Sequence, residues 1–173
     1  MQNSKSEAPV IFSKEGFTII EILVVVVIIG ILASIVVVSF NTTLRHSREG
    51  KRIADLKNVS TALDMYYAEN NSYPNSYGGV GIWDGIYSCW GDSTTNWIPG
   101  LVPTYLKGEL PRDPRNHTNC GEQYIYRSDG KAYKLLAHQP EDCTWTVSKY
   151  PSLADPMRNC WAFGYYSEGA YNF

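Results

Sequence analysis

A chain of 173 residues has room for one domain of ordinary size and little more. Its 15 Lys and Arg stand against 17 Asp and Glu, a net charge of −2 that excludes a globally basic nucleic-acid binder. With 44% hydrophobic residues the chain is not disordered, and its aliphatic residues are concentrated in one early segment.

Residues 1–16, MQNSKSEAPVIFSKEG, are mostly polar, and the apolar run begins just beyond Lys14-Glu15-Gly16. A secretory signal has its apolar core before the cleavage site and loses it on processing. Here a cut after Gly16 leaves the apolar segment on the mature chain, which then starts Phe17-Thr18-Ile19-Ile20-Glu21. From Ile22 to Phe40 there is no charge, and nearly every residue is Ile, Val or Leu. As helix that run is roughly 28 Å long, close to the hydrocarbon thickness of a bilayer. Val and Ile are poor helix formers in water, but in lipid any other conformation leaves backbone groups unsatisfied. A membrane-spanning helix is therefore expected.

The junction K-E-G-F-T-I-I-E-I-L-V-V resembles the class III leader of type IV pilins and of the related pseudopilins of type II secretion. In that family a Gly precedes the cut, an N-methylated Phe follows it, and Glu is the fifth mature residue. Gly16, Phe17 and Glu21 match these positions, and the resemblance continues through Gly30-Ile31-Leu32-Ala33-Ser34. One departure is Val38, where many relatives carry the Pro associated with helix unwinding in some filaments. The resemblance implies cleavage between Gly16 and Phe17, methylation of Phe17, and pairing of Glu21 with the Phe17 amine of a neighbouring subunit. A carboxylate at the edge of a span is costly unless hydrated, protonated or paired, which makes Glu21 the residue with the clearest chemistry. An interfacial Glu that snorkels to the headgroups is the plainer reading. Lys5 and Lys14 favour a cytoplasmic N-terminus, while Arg45, Arg48, Lys51 and Arg52 behind the run blur that signal.

Beyond the run, Leu56, Val59, Leu63 and Tyr66 recur at helical spacing, with Ile53 and Ala62 beside them. Lys51, Asp55, Lys57 and Asp64 take the other faces, and Asn70-Asn71-Ser72-Tyr73-Pro74 supplies a stop. A single helix from Phe17 to Glu69 measures about 80 Å. Residues 71–122 are rich in Gly, Pro, Asn, Ser and Tyr and read as a long loop, with a short helical turn at Leu101–Leu106. Leu110-Pro111-Arg112-Asp113-Pro114 resembles the family turn that leads into the sheet. Tyr124–Arg127 and Ala132–Ala137 flank Ser128-Asp129-Gly130-Lys131, a strong hairpin signal. Trp145-Thr146-Val147 and Trp161–Tyr166 are further strand candidates.

The expected fold is α+β and type IV pilin-like, a long N-terminal α-helix packed on a small antiparallel β-sheet. The expected organisation is a leader at 1–16, a transmembrane and polymerisation helix at 17–40 and an amphipathic helix at 41–70. An αβ-loop at 71–122 and a sheet at 123–173 with a C-terminal disulfide-closed loop complete it. Four cysteines without C-x-x-C spacing read as two disulfides of an oxidising compartment, and they allow three pairings. Cys89–Cys120 with Cys143–Cys160 is the favoured pairing, because each bond closes one loop-rich segment.

His46, His117 and His138 are scattered, and no nucleophile-elbow, zinc-protease or phosphate-loop motif occurs, so no enzyme is expected. The resemblance to major pseudopilins brings in calcium, held by loop carboxylates and carbonyls; Asp113, Glu122, Asp129 and Asp142 are the candidates. Acidic residues in such places are more often turn formers, and no metal ligand is assigned. The 13 Tyr and 5 Trp fit core and interface packing better than stacking on nucleic acid. The leading reading is a subunit of a type IV pilus, a homopolymer held by its N-terminal helices. Its implied partners are a prepilin peptidase, an assembly platform with its ATPase, and the cytoplasmic membrane, with the head exposed for adhesion, motility or DNA uptake. The alternatives are a pseudopilin of type II secretion and a membrane-anchored binding protein that never polymerises.

Overall fold

The computed structural model describes residues 16–77, 79, 81–87, 95–115, 118 and 121–173, with the side chains of 35–39 left aside. Its contacts divide the chain into two units, one ending at Asn41 and one formed by Thr42–Phe173.

Helix α1 is Ile19–Asn70. Within the first unit, the apolar side chains from Phe17 to Leu32 are exposed all round the helix. Among the described residues no helix is long and apolar enough to cross a membrane. The span expected at 22–40 includes residues 35–39, whose side chains lie outside those described. The leader residues before Gly16 also lie outside them.

In the second unit, Leu56, Val59, Ala62 and Leu63 of α1 are buried at the three- and four-residue spacing of one helical face. Asn71 ends the helix in the left-handed region, at φ 57°, and its N–H donates to Tyr67 O at 2.8 Å. An Asn tolerates that conformation where most side chains do not. Strands β1 (Asp84–Gly85), β2 (Gln123–Ser128), β3 (Tyr133–His138) and β4 (Ala162–Tyr166) form one antiparallel sheet in the order β1-β2-β3-β4. Strand alternation sends Tyr124, Tyr126, Tyr133, Leu135, Ala137 and Phe163 into the core with Leu56, Val59 and Leu63. Trp97, Ile98, Leu101 and Leu110 of the loop close that core. On the opposite face Ile125, Leu136 and Ala162 make a smaller cluster against Trp83.

The hairpin between β2 and β3 forms as expected. Asp129 Oδ1 accepts the N–H groups of Lys131 and Ala132 at 2.9 and 2.8 Å, and Gly130 takes φ 84°. The register pairs Gln123 with His138 and Ser128 with Tyr133. In β4, Gly164 is required by contact, since a Cβ there would stand 2.0 Å from Leu135 O. The turn expected at Leu101–Leu106 is present, with the Tyr105 N–H on Leu101 O at 3.0 Å.

One expected strand is absent. Trp145-Thr146-Val147 lies in helix α2, Cys143–Lys149. The side chain of Asp142 caps it by accepting the Trp145 N–H at 3.0 Å, Lys149 sits in its last turn, and Pro151 opens a 3₁₀ turn at Pro151–Leu153. Capping and the anchoring of Cys143 override the β-propensity of three residues. A disulfide joins Cys143 to Cys160 across this connection. Cys89 and Cys120 lie outside the described residues.

Candidate functional site: the N-terminal junction and the base of the head

Thr18 and Glu21 form a reciprocal cap at the start of α1. Glu21 Oε2 accepts the Thr18 N–H at 2.8 Å and the Thr18 hydroxyl at 2.7 Å. The Glu21 N–H donates back to Thr18 Oγ1 at 3.3 Å. Two backbone donors that a helix start leaves open are thereby satisfied. Phe17 is 82% exposed and Ile19 88% exposed, so the carboxylate sits at the tip of a bare apolar rod. Of the expected site residues, Gly16, Phe17 and Glu21 are thus brought together at one end of α1, in a segment with an uncovered surface.

A second cluster was not expected from the sequence. Arg52 is fully buried and clamps Asp113 with two hydrogen bonds, Nε to Oδ2 at 2.7 Å and Nη2 to Oδ1 at 3.0 Å. Its Nη1 donates to Glu49 Oε1 at 2.9 Å and lies 3.5 Å from Glu141 Oε2. Arg48 holds Glu141 in turn, at 2.5 and 2.7 Å. Burial pushes the Glu49 carboxyl up, opposed by Arg52, while the Arg48 hydrogen bond draws Glu141 below the usual carboxylate range. Glu49 also accepts the Asp142 N–H at 2.8 Å, so the network ties α1 to both the Asp113 turn and the start of α2. Buried charge of this kind is costly without partners, and here each carboxylate has a guanidinium. The signal was available: Glu49 and Arg52 continue the helical spacing of Leu56, Val59 and Leu63.

The four carboxylates considered for calcium are engaged elsewhere. Both Asp113 oxygens are on Arg52, Asp129 holds the hairpin turn, Asp142 caps α2, and Glu122 accepts from Arg115 at 3.1 Å. Among the described residues no three His, Cys, Asp or Glu side chains converge to hold a metal ion. These residues do not fit the ion that the resemblance implied.

A family model for the prokaryotic N-terminal methylation motif matches residues 11–37, the stretch that contains Gly16, Phe17 and Glu21. A second, for type II secretion system protein G, matches residues 40–142. The chain belongs to the type II secretion system protein G family. The Escherichia coli core protein G is 34% identical over 134 residues, 74% of this chain and 83% of that protein. The Aeromonas hydrophila relative is 40% identical over 130 residues, 70% of this chain and 78% of its own. The Vibrio cholerae relative is 35% identical over 115 residues, 66% of this chain and 71% of its own. No solved structure matches.

These relatives bear out the pilin-like reading and favour the secretion alternative over a type IV pilus, while the helix and four-stranded sheet bear out the α+β fold. The features that tilted the sequence reading toward a pilus were the cysteine-bearing loop, Val38 and the Cys-closed C-terminal loop. Val38 falls just before the match over residues 40–142, and the Cys143–Cys160 loop begins just beyond its end.

Proposed function

We propose that this chain is a pilin-like subunit that polymerises with copies of itself into the short filament of a type II secretion system. The observation that carries this reading is the protein G match over residues 40–142, which covers α1 of the head, the loop and the first hairpin. In this reading a prepilin peptidase cuts between Gly16 and Phe17 and methylates the new Phe17 amine. The apolar segment anchors the processed subunit in the cytoplasmic membrane, N-terminus inside, until a platform and its ATPase extract it. Extraction exchanges lipid for the helices of other subunits around an otherwise uncovered surface. Glu21, held by Thr18 in the single chain, meets the Phe17 amine of a neighbouring subunit and sets the axial register. The role is structural; no reaction is assigned to the head.

The test deletes the coding sequence in the source organism and follows both exported enzymes and sheared surface filaments. Loss of enzyme release, restored by the intact chain, with no filament in the sheared fraction of wild type, supports the reading. Abundant sheared filaments containing this chain, with enzyme release unaffected by the deletion, refute it in favour of a pilus. Intact-mass analysis of assembled material should give a chain beginning at methylated Phe17; retention of residues 1–16 contradicts the processing step.

A further inference from the structure

Strand β3 carries a lysine where an apolar run leaves little room for one. Lys134 lies between Tyr133 and Leu135, pairs with Arg127 of β2 and Tyr166 of β4, and is fully buried. Its neighbours on the strand face α1, so alternation turns Lys134 to the other side of the sheet. There its Nζ donates to Asp155 Oδ1 at 3.0 Å, to Tyr171 O at 3.0 Å and to Phe173 O at 3.2 Å. The Tyr166 ring lies 5.4 Å below it. Three N–H donors thus meet three oxygens, which is the full capacity of an ammonium.

The donor set is one carboxylate and two main-chain oxygens, the hard oxygens that a calcium ion would also choose. A calcium ion needs them at about 2.3–2.6 Å and needs at least six. Here they stand at ammonium distance. The second Asp155 oxygen is taken by Arg158 Nη1 at 2.6 Å, and the same guanidinium reaches Phe173 O at 3.1 Å. A divalent ion added beside Lys134 and Arg158 would meet two fixed positive charges. The segments so joined are β3, the stretch after α2 and the C-terminal tail, and the Cys143–Cys160 disulfide closes the same connection. Asp155, Tyr171 and Phe173 all lie beyond residue 142, where the protein G match ends.

We infer that the Lys134 ammonium is the built-in cation of the β3–β4 connection, standing in the place of a calcium ion, so that the head orders its C-terminal segment without metal. Folding delivers this cation as part of strand β3. Burial alone would favour its loss of charge, and Asp155 holds the charge in place. The connection then needs no ion from outside, and assembly becomes indifferent to the calcium level there.

The test uses the full processed chain, purified in mild detergent after export, and follows thermal unfolding by near-UV circular dichroism. Samples contain either excess calcium chloride or excess EGTA. The wild-type midpoints are expected to agree within about 1 °C, whereas a calcium site filled well above its Kd shifts a domain of this size by roughly 10 °C. Lys134→Met is expected to melt roughly 10 °C lower in EGTA, because Asp155 keeps its burial and loses its cation. Should that variant fail to accumulate, Asp155→Asn serves: its wild-type-sized acceptor keeps the shape, and its midpoint should fall without any response to calcium. A wild-type midpoint that rises with calcium and saturates overturns the inference. So does a Lys134→Met chain that melts with wild type in EGTA. Neither readout involves secretion, so the inference stands or falls apart from the proposed function.

Discussion

The side chains from Ile22 to Leu32 and those of the core around Leu56, Leu135 and Phe163 are drawn from the same apolar types. In the single chain the first group is exposed on every side, while Leu56, Leu135 and Phe163 are each fully buried. The difference is one of pattern. The first stretch has no polar face, so no packing of this short chain could cover it. The second alternates apolar and polar positions with helical or strand period and closes on itself. The head closes its own core, and under the proposed function lipid or another subunit covers the N-terminal segment. The two stretches should respond to mutation in separate assays.

The sharpest separation is expected from Glu21→Ala. The cap on Thr18 is lost, but the segment becomes more apolar and Gly16 is untouched, so insertion and cleavage should proceed. The head should fold and form its Cys143–Cys160 bond as in wild type. Assembly should fall by a factor of about 100 or more, since leaving one partner of a desolvated charge pair alone costs about 3–5 kcal/mol. Comparing processed subunit in membranes with subunit in cross-linked or overproduced filaments measures it. Normal assembly would make Glu21 a mere helix cap.

Arg52→Met should do the opposite, damaging the head and leaving the apolar segment as it is. Asp113 and Glu49 would keep their burial and lose the guanidinium between them. A loss of about 3–5 kcal/mol is expected from urea unfolding followed by tryptophan fluorescence. A change below about 1 kcal/mol would mean that water reaches those carboxylates and that the network does not hold the base of the head.

The two stretches also differ in how well the sequence announced them. The junction at Gly16-Phe17 and the hairpin at Asp129-Gly130 could be read because their signals are local, a few residues of fixed type and spacing. The Arg52 network could not be assembled that way. Its members lie at 48–52, 113 and 141–142, and only folding brings them within hydrogen-bond distance. Lys134 was hidden for a similar reason, since its partners come from the distant Asp155 and from the C-terminal tail. Trp145-Thr146-Val147 misled because three residues of strand-like composition carry less weight than the Asp142 cap before them and Pro151 behind.

Breaking the disulfide with Cys143→Ser tests how far the head closes by packing alone. The bond spans a sequence separation of 17, and a loop of that size restrains the unfolded chain by about 3 kcal/mol. The expected loss is of that order in the same urea assay. The Lys134–Asp155 contact should remain, so the midpoint should fall while the unfolding transition stays single. A second transition would show that the connection after β3 is a separate folding unit.

The smallest effect expected is a pH dependence seated at His138, and it is confined to the head. The ring is buried, its Nδ1–H donates to Gly121 O at 2.6 Å, and Trp161 lies beside it. Burial lowers its pKa from the ordinary 6.5, the Gly121 hydrogen bond opposes that, and nearby Arg158 adds to it. The unfolded chain therefore binds a proton more readily than the folded one. Stability from the neutral ring is present in full above pH 6.5 and is lost as the pH falls toward and through the lowered folded value. Each unit of that lowering amounts to about 1.4 kcal/mol. Glu49 acts in the other sense, because its raised pKa lets the folded chain take up a proton early as the pH falls. The difference between wild type and His138→Asn isolates the histidine, since Asn retains a donor near the Gly121 carbonyl and does not titrate. Between pH 7 and pH 5 the wild-type free energy of unfolding should fall by more than that of His138→Asn. Parallel curves would mean that His138 is already open to water, and that this edge of the head is less closed than the core beneath it.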